Sequence, residues 1–357
     1  MAAASSDGAV PSTSPVGHPP RITVVVVAHA RRKYLAGALR SIEGQTLPRS
    51  DFDVILLTDF EDPELAPEVA RLRPSRVSMS PGPLGTWVDM IRGRIRSDLV
   101  AFLDDDDRFE PDKLARALEA FQAHAGANYL HHRVRPVGPE EGGGPPGPGA
   151  GPRVSPIREV GPPEWRARFD LLWDQDAAFN LSSIVVRREV LEAFPELLAR
   201  VRVSLSTFLF FAALRLDGTV LLDPEALTRY RREEGVGRSG AASPRSARRI
   251  SELAAPRADD ARTLLQLVAP LHLRLAEAPM RAAIARGTLV AALEGGGTSR
   301  RNIAGAVWDF WRFRPVGAVV AERPVLFDAL LYLVSPTRAR AAWACRIATA
   351  AAGSTLV

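Results

Sequence analysis

Residues 22–45 read ITVVVVAHARRKYLAGALRSIEGQ. The β-branched run at 22–28 shows no alternation of polar and apolar positions, which is the pattern of a strand covered on both faces. The period then changes. Leu35, Leu39 and Ile42 recur at helical spacing, and Gly44 supplies a stop. The same unit returns along the chain. DVILLTD at 53–59 is a second apolar run, followed by a helical segment around PELAPEVARL and a short strand near 76–78. A helix near 84–96 leads into a fourth strand, LVAFLD at 99–104, and KLARALEAFQAH is another amphipathic helix. Strands alternating with helices predict an α/β fold, a Rossmann-like, mainly parallel sheet with helices on both faces.

In open parallel sheets ligands bind beyond the carboxyl ends of the strands. Three polar loops follow such ends: His29 to Lys33, Asp59 to Asp62, and Asp104 to Asp107. The last is four consecutive carboxylates behind a buried run. Like charges so close repel, and each resists leaving water unless a cation or a hydrogen-bond network compensates. Carboxylate oxygens suit Mg²⁺ or Mn²⁺, which take one or two protein ligands and fill the remaining positions with phosphate and water. On an extended segment, Asp104 and Asp106 address one side and Asp105 the other, with Asp107 suited to capping the turn that follows. The alternative reading is an acidic, solvated turn ahead of the helix at PDKLARAL.

The remainder of the chain sets bounds. With 357 residues and 46% hydrophobic content it can build a large core, and a formal charge of +5 is far from that of a dedicated nucleic-acid binder. One cysteine, Cys345, excludes an internal disulfide framework and any multi-cysteine metal site, and fits a reducing, cytoplasmic setting. Residues 1–20 are rich in Ser, Gly, Ala and Pro and read as a disordered tail without the features of a signal peptide. The stretch at 136–164 is so rich in Gly and Pro that it reads as a flexible insertion. WRARFDLLWDQ, NLSSIVVRREVLEAF, STFLFFAALRL and TVLLD then resume regular structure, and 241–357 reads as a C-terminal helical region. In NIAGAVWDFWRFRPVG aromatic residues alternate with Arg, a pattern open to core packing or to peripheral membrane contact.

ITVVVVAHARRKYLAGALRSIEGQTLP with its Gln45-Thr46 pair, DVILLTDFED and SDLVAFLDDDDRFEPDKL together resemble the family 2 glycosyltransferases, inverting enzymes of GT-A fold that use nucleotide-diphosphate sugars. The resemblance runs from about residue 21 to 135, is looser to 240, and makes 21–240 the GT-A domain. It implies that Ala28, His29, Arg31, Asp59, Asp89 and Asp104 face the nucleotide. Asp104-Asp105-Asp106 stands in the place of the DxD motif, with Asp104 and Asp106 toward Mn²⁺ or Mg²⁺. The implied partners are a nucleotide-diphosphate sugar and a saccharide or lipid-linked acceptor.

Two positions depart from the family pattern. Where it carries the catalytic Asp that deprotonates the acceptor, VRVSLSTFLFFAAL has Ser206, and a hydroxyl is too weak a base to act alone. Asp174 and Asp176 in LLWDQDAAFN could reach the cleft from another loop, so the catalytic candidates are Asp174, Asp176 and Ser206. Where the family has a metal-binding His, LTRYRREEGVGRSG carries Glu233. The expected function is therefore metal-dependent, inverting sugar transfer. The alternative is a nucleotide-sugar-binding protein that transfers poorly and acts as a regulatory or scaffold subunit. A nucleotidyltransferase would need a Gly-rich phosphate loop after the first strand, and AHARRKY lacks the Gly.

Overall fold

A computed structural model describes residues 20–29, 32–79, 82–138, 156–231, 244–313 and 323–352 of the protein. The strands are β1 (Ile22–Ala28), β2 (Phe52–Thr58), β3 (Ser75–Ser78), β4 (Leu99–Asp104), β5 (Arg108–Phe109), β6 (Ala127–Val137), β7 (Arg158–Val160), β8 (Ile184–Arg187) and β9 (Thr219–Arg231). The helices are α1 (Leu35–Glu43), α2 (Ala66–Leu72), α3 (Leu84–Ile91), α4 (Lys113–Ala123), α5 (Pro162–Ala167), α6 (Phe169–Asp174) and α7 (Arg188–Glu192). They continue with α8 (Pro195–Leu198), α9 (Leu205–Arg215), α10 (Pro244–Val268), α11 (Arg274–Leu293), α12 (Arg300–Phe313), α13 (Arg323–Val334) and α14 (Pro336–Ala352).

Among the described residues the strands make one sheet in the order β3-β2-β1-β4-β8-β6-β9-β5, with β7 on β9. The half built from β3, β2, β1 and β4 is parallel, because each crossover carries a helix over the sheet. β8 enters antiparallel to both β4 and β6, and β6 runs parallel to β9. The unbroken burial of β1 follows from cover on both faces. Ile22, Val24 and Val26 pack with Leu35, Leu39, Ile42, Leu114 and Phe121 of α1 and α4. Val25 and Val27 face the other side, toward Trp87 and Ile91 of α3 and the phenylalanines of α9.

That second cluster also takes in Ala261, Leu264, Leu267 and Met280 of α10 and α11. The C-terminal helices thus share a core with the sheet, while Ile303, Phe310, Val325 and Trp343 close a third cluster among the helices themselves.

β6 was not evident from its sequence, ANYLHHRVRPV. Its inward positions include Asn128, His131 and His132, all buried. Each meets a backbone oxygen: Asn128 Nδ2 donates to Ala213 O at 3.2 Å, and ring nitrogens of His131 and His132 lie 3.3 Å from Phe179 O and 2.8 Å from Arg133 O, while among the described residues Asn128 Oδ1 and His132 Nε2 have no hydrogen-bond partner. Such a strand has no apolar period to read. β9 likewise extends through LTRYR, since Thr228 and Arg229 pair with β5 and β6. The stretch 136–164, read as an insertion, begins inside β6 and ends with β7 and the start of α5. Residues 139–155, and the tail at 1–19, lie outside the described residues.

Candidate functional site

Register alone brings the three polar loops together. Ala28 lies opposite Thr58, and Val27 lies opposite Asp104, so His29, Asp59 and Asp104 leave the sheet at one edge. The exposed ring of His29 places Nδ1 2.6 Å from Asp59 Oδ2, whose side chain is only 9% exposed. The same ring meets Trp87 edge-on, with centroids 5.5 Å apart, which ties the first two loops to α3. Asp89, on α3, pairs with Arg92 just beyond the end of that helix at 3.0 Å. Arg31 and Glu233 lie outside the described residues.

Burial alternates through the acidic quartet: Asp104 and Asp106 are half-buried, Asp105 and Asp107 buried. Asp107 does not cap the turn that follows it. Its Oδ2 accepts from Asn180 Nδ2 at 3.0 Å and its Oδ1 from the Arg231 N–H at 3.0 Å. Desolvation, together with the neighbouring Asp106 charge, still pushes Asp107 up to about 6 against those bonds. The Asp104 N–H donates to Ser182 Oγ at 2.9 Å. The start of α4 is held by Gln45, which accepts from the Leu114 N–H at 3.0 Å and donates to Glu110 O at 2.8 Å, while the Thr46 N–H reaches Pro111 O at 2.7 Å. The Gln-Thr pair therefore anchors the segment behind the carboxylates.

Several residues of this shell carried no sequence signal. Lys113 is fully buried, donates to Ser182 O, and lies 3.4 Å from the centre of the Phe109 ring, where burial holds its ammonium well below the usual lysine range. The Arg231 guanidinium sits 4.0 Å over the Tyr34 ring and donates to Asp106 O at 3.3 Å and Gly138 O at 3.0 Å. Asn180 adopts φ 58°, ψ 114°, outside the left-handed basin that Asn tolerates, a conformation costing about 1–3 kcal/mol. Among the described residues its buried Oδ1 has no hydrogen-bond partner and its Nδ2 bonds Asp107.

On the other side of the strand ends, Ser206 is half-buried in the first turn of α9, Asp174 is exposed at the end of α6, and Asp176 is half-buried with φ 54°. The loop holding Asp176 is joined to the quartet through Asn180 and to β6 through Phe179 O. The approach to α9 is held by α3 and α10. Asp260, fully buried on α10, accepts the N–H groups of Arg202, Val203 and Ser204 at 2.7–2.9 Å. The Gly85 N–H reaches Val201 O at 2.8 Å, and a Cβ there would lie 1.8 Å from Leu198 O, so α3 closes on this loop only with glycine.

Among the described residues no group of three or more His, Cys, Asp or Glu could hold a metal ion. Asp104 and Asp106 offer hard oxygen donors at a half-buried turn. That donor set fits a divalent cation completed by phosphate and water rather than an all-protein cage.

Two buried imidazoles beside this shell make stability pH-dependent. Burial lowers His131 to about 4 and holds His132 well below the usual range, so both are neutral in the fold and titrate near 6.5 once unfolded. Their contribution is complete above 6.5 and lost as pH falls toward 4, at about 1.4 kcal/mol per pH unit each. Asp107, raised by burial, acts in the opposite direction below about 6 and offsets one of them. Denaturant unfolding between pH 6 and 5 is expected to lose about 1.4 kcal/mol of stability per unit. His131→Asn is expected to make that segment nearly flat.

Residues 23–192 match the Glycosyl transferase family 2 profile. The segment is a family 2 glycosyltransferase domain. An uncharacterized glycosyltransferase of Haemophilus influenzae is 26% identical over 116 residues, 32% of this chain and 39% of that protein. S. aureus TarS shares the fold with a TM-score of 0.51 at 15% identity, over 90% of this chain and 55% of TarS. Its 1–349 portion in complex with UDP-GlcNAc gives 0.51 at 16% identity, over 90% of each chain. The chain therefore spans about two-fifths of the first relative and about half of full TarS. In the GT-A arrangement the glycosyltransferase domain keeps its parallel strand ends, with the acidic quartet, on one edge of the sheet.

Proposed function

We propose that the protein transfers a sugar from a nucleotide-diphosphate sugar to an acceptor hydroxyl, with inversion and with a divalent cation. The observation that carries this is the alternation in the quartet: Asp105 and Asp107 are buried, with Asp107 bonded into the scaffold, and Asp104 and Asp106 are half-buried at the strand end. In support, the TarS portion of like fold is a UDP-GlcNAc complex. His29, Asp59 and Asp89 surround the nucleotide in this reading, with Ala28 at the end of β1 and Arg31 of the first loop beside it. Asp104 and Asp106 would hold Mn²⁺ or Mg²⁺, with Glu233 a third candidate; the cation would supply neutralisation of charge on the departing diphosphate. The acceptor oxygen attacks the anomeric carbon, the bond from that carbon to the phosphate oxygen breaks, and the acceptor proton passes to a base. Asp176 is the better base candidate than Asp174, because it is half-buried and its loop is bonded to the quartet turn through Asn180.

Ser206 in the corresponding helix favours a second reading, nucleotide-sugar binding with little or no transfer. Thermal-shift screening of nucleotide sugars with Mn²⁺, followed by assay of nucleoside diphosphate release with acceptor extracts, separates the two. Binding with release supports transfer; binding without release, and unaltered by Asp176→Asn, supports the second reading. No stabilisation by any nucleotide sugar contradicts both.

Asn180→Gly tests the scaffold of the quartet. It relieves the backbone strain and removes the bond to Asp107 together, so Tm is expected to change little. Nucleotide Kd is expected to rise about tenfold, the equivalent of 1.4 kcal/mol. An unchanged Kd by calorimetry would separate Asn180 from binding.

A further inference from the structure

Half of the exposed large apolar side chains among the described residues lie far along the chain from the site, on α12 and α13. On α12, Ile303, Ala306 and Phe310 enter the third core cluster. Arg301, Trp308 and Arg312 recur on the opposite face at spacings of seven and four, with Trp311 beside them. Trp308 and Trp311 are 58% and 62% exposed, with ring centroids 6.0 Å apart. α13 repeats the arrangement: Val325, Ala329 and Tyr332 are buried, while Phe327, Leu330 and Val334 form an exposed stripe at i, i+3 and i+7. α12 and α13 pack on each other, and both stripes lie outside the third core cluster that their opposite faces enter.

The charge of this part is lopsided. Residues 300–313 and 323–352 hold seven arginines against Asp309 and Asp328, a net of +5, equal to the formal charge of the whole chain. Asp328 is buried and paired with Arg346 at 2.9 Å, which leaves Asp309 as the exposed acid of these segments. Aromatic and arginine side chains together suit the headgroup boundary of a bilayer, where rings are half-solvated and guanidinium groups meet phosphate. A second copy seated face to face would set Arg301 and Arg312 of each copy against the same residues of the other. No helix among the described residues is long and apolar enough to cross a membrane, so contact would run along the surface.

We propose that the face formed by α12 and α13 seats on an anionic phospholipid surface, with Trp308, Trp311, Phe327 and Leu330 entering the headgroup–acyl boundary. This does not depend on the transferase reading, and its test needs neither donor nor acceptor. The full chain is mixed with phosphatidylcholine vesicles with or without phosphatidylglycerol, and sedimentation is measured. Binding is expected with the anionic vesicles, weakened by salt, and lowered at least about tenfold in Trp308→Ser/Trp311→Ser and in Phe327→Ser/Leu330→Ser. Brominated acyl chains are expected to quench tryptophan emission in the native chain but not in the double-tryptophan variant. Unchanged melting by circular dichroism shows that the variants fold, as expected for exposed side chains. Absence of binding to anionic vesicles, or binding untouched by both variants, overturns the proposal. So does a concentration-dependent dimer that the same substitutions dissolve, which would assign the face to a second copy.

Discussion

Asp106→Asn is expected to lower the affinity for a nucleotide-diphosphate sugar in Mn²⁺ at least about 100-fold, a loss of about 2.7 kcal/mol, and to abolish the difference between Mn²⁺ and chelator. The reasoning is electrostatic. A diphosphate beside two carboxylates is repelled unless a cation lies between them, and a neutral amide is a poor ligand for that cation. The half-buried turn of Asp104 and Asp106 weakens solvent screening, so the loss should exceed that of a surface charge. Calorimetric titration of the native chain, Asp106→Asn and the surface control Glu119→Gln measures it. Binding in Asp106→Asn that equals the control would sink the proposed role of the quartet.

Asp260→Ala is expected to destabilise the fold by about 4 kcal/mol, lowering Tm by about 10 °C. Three backbone N–H groups converge on this buried carboxylate, and alanine leaves all three without an acceptor. Asp260→Asn keeps one acceptor oxygen and should lose about half as much. Because the three donors form the approach to α9, hydrogen exchange at 202–204 is expected to accelerate more than elsewhere. Uniform acceleration across the sheet would show that Asp260 supports the whole fold rather than that loop.

The parallel half of the sheet was legible because a strand covered on both faces must be written in apolar residues, as β1, β2 and β4 are. The acidic quartet was legible for the opposite reason: four carboxylates behind such a strand cannot be packed there without compensation. β6 was hidden because buried Asn128, His131 and His132 are partly compensated by carbonyl groups of α9, the 174–180 loop and β6 itself, a cost and compensation that no local pattern records. Asn180 and Asp260 were hidden because their partners lie 73 and 56–58 residues away in sequence.

Sequence by itself determined the elements of the parallel half, their order and the edge at which Asp59 and Asp104 emerge, since hydrophobic period and strand direction are local properties. Tertiary structure decided which carboxylates are buried and which half-exposed, the bond from Asn180 to Asp107, and the union of the C-terminal helices with the core of the sheet. Those depend on desolvation and on hydrogen bonds between distant segments, and both arise only when the chain closes on itself.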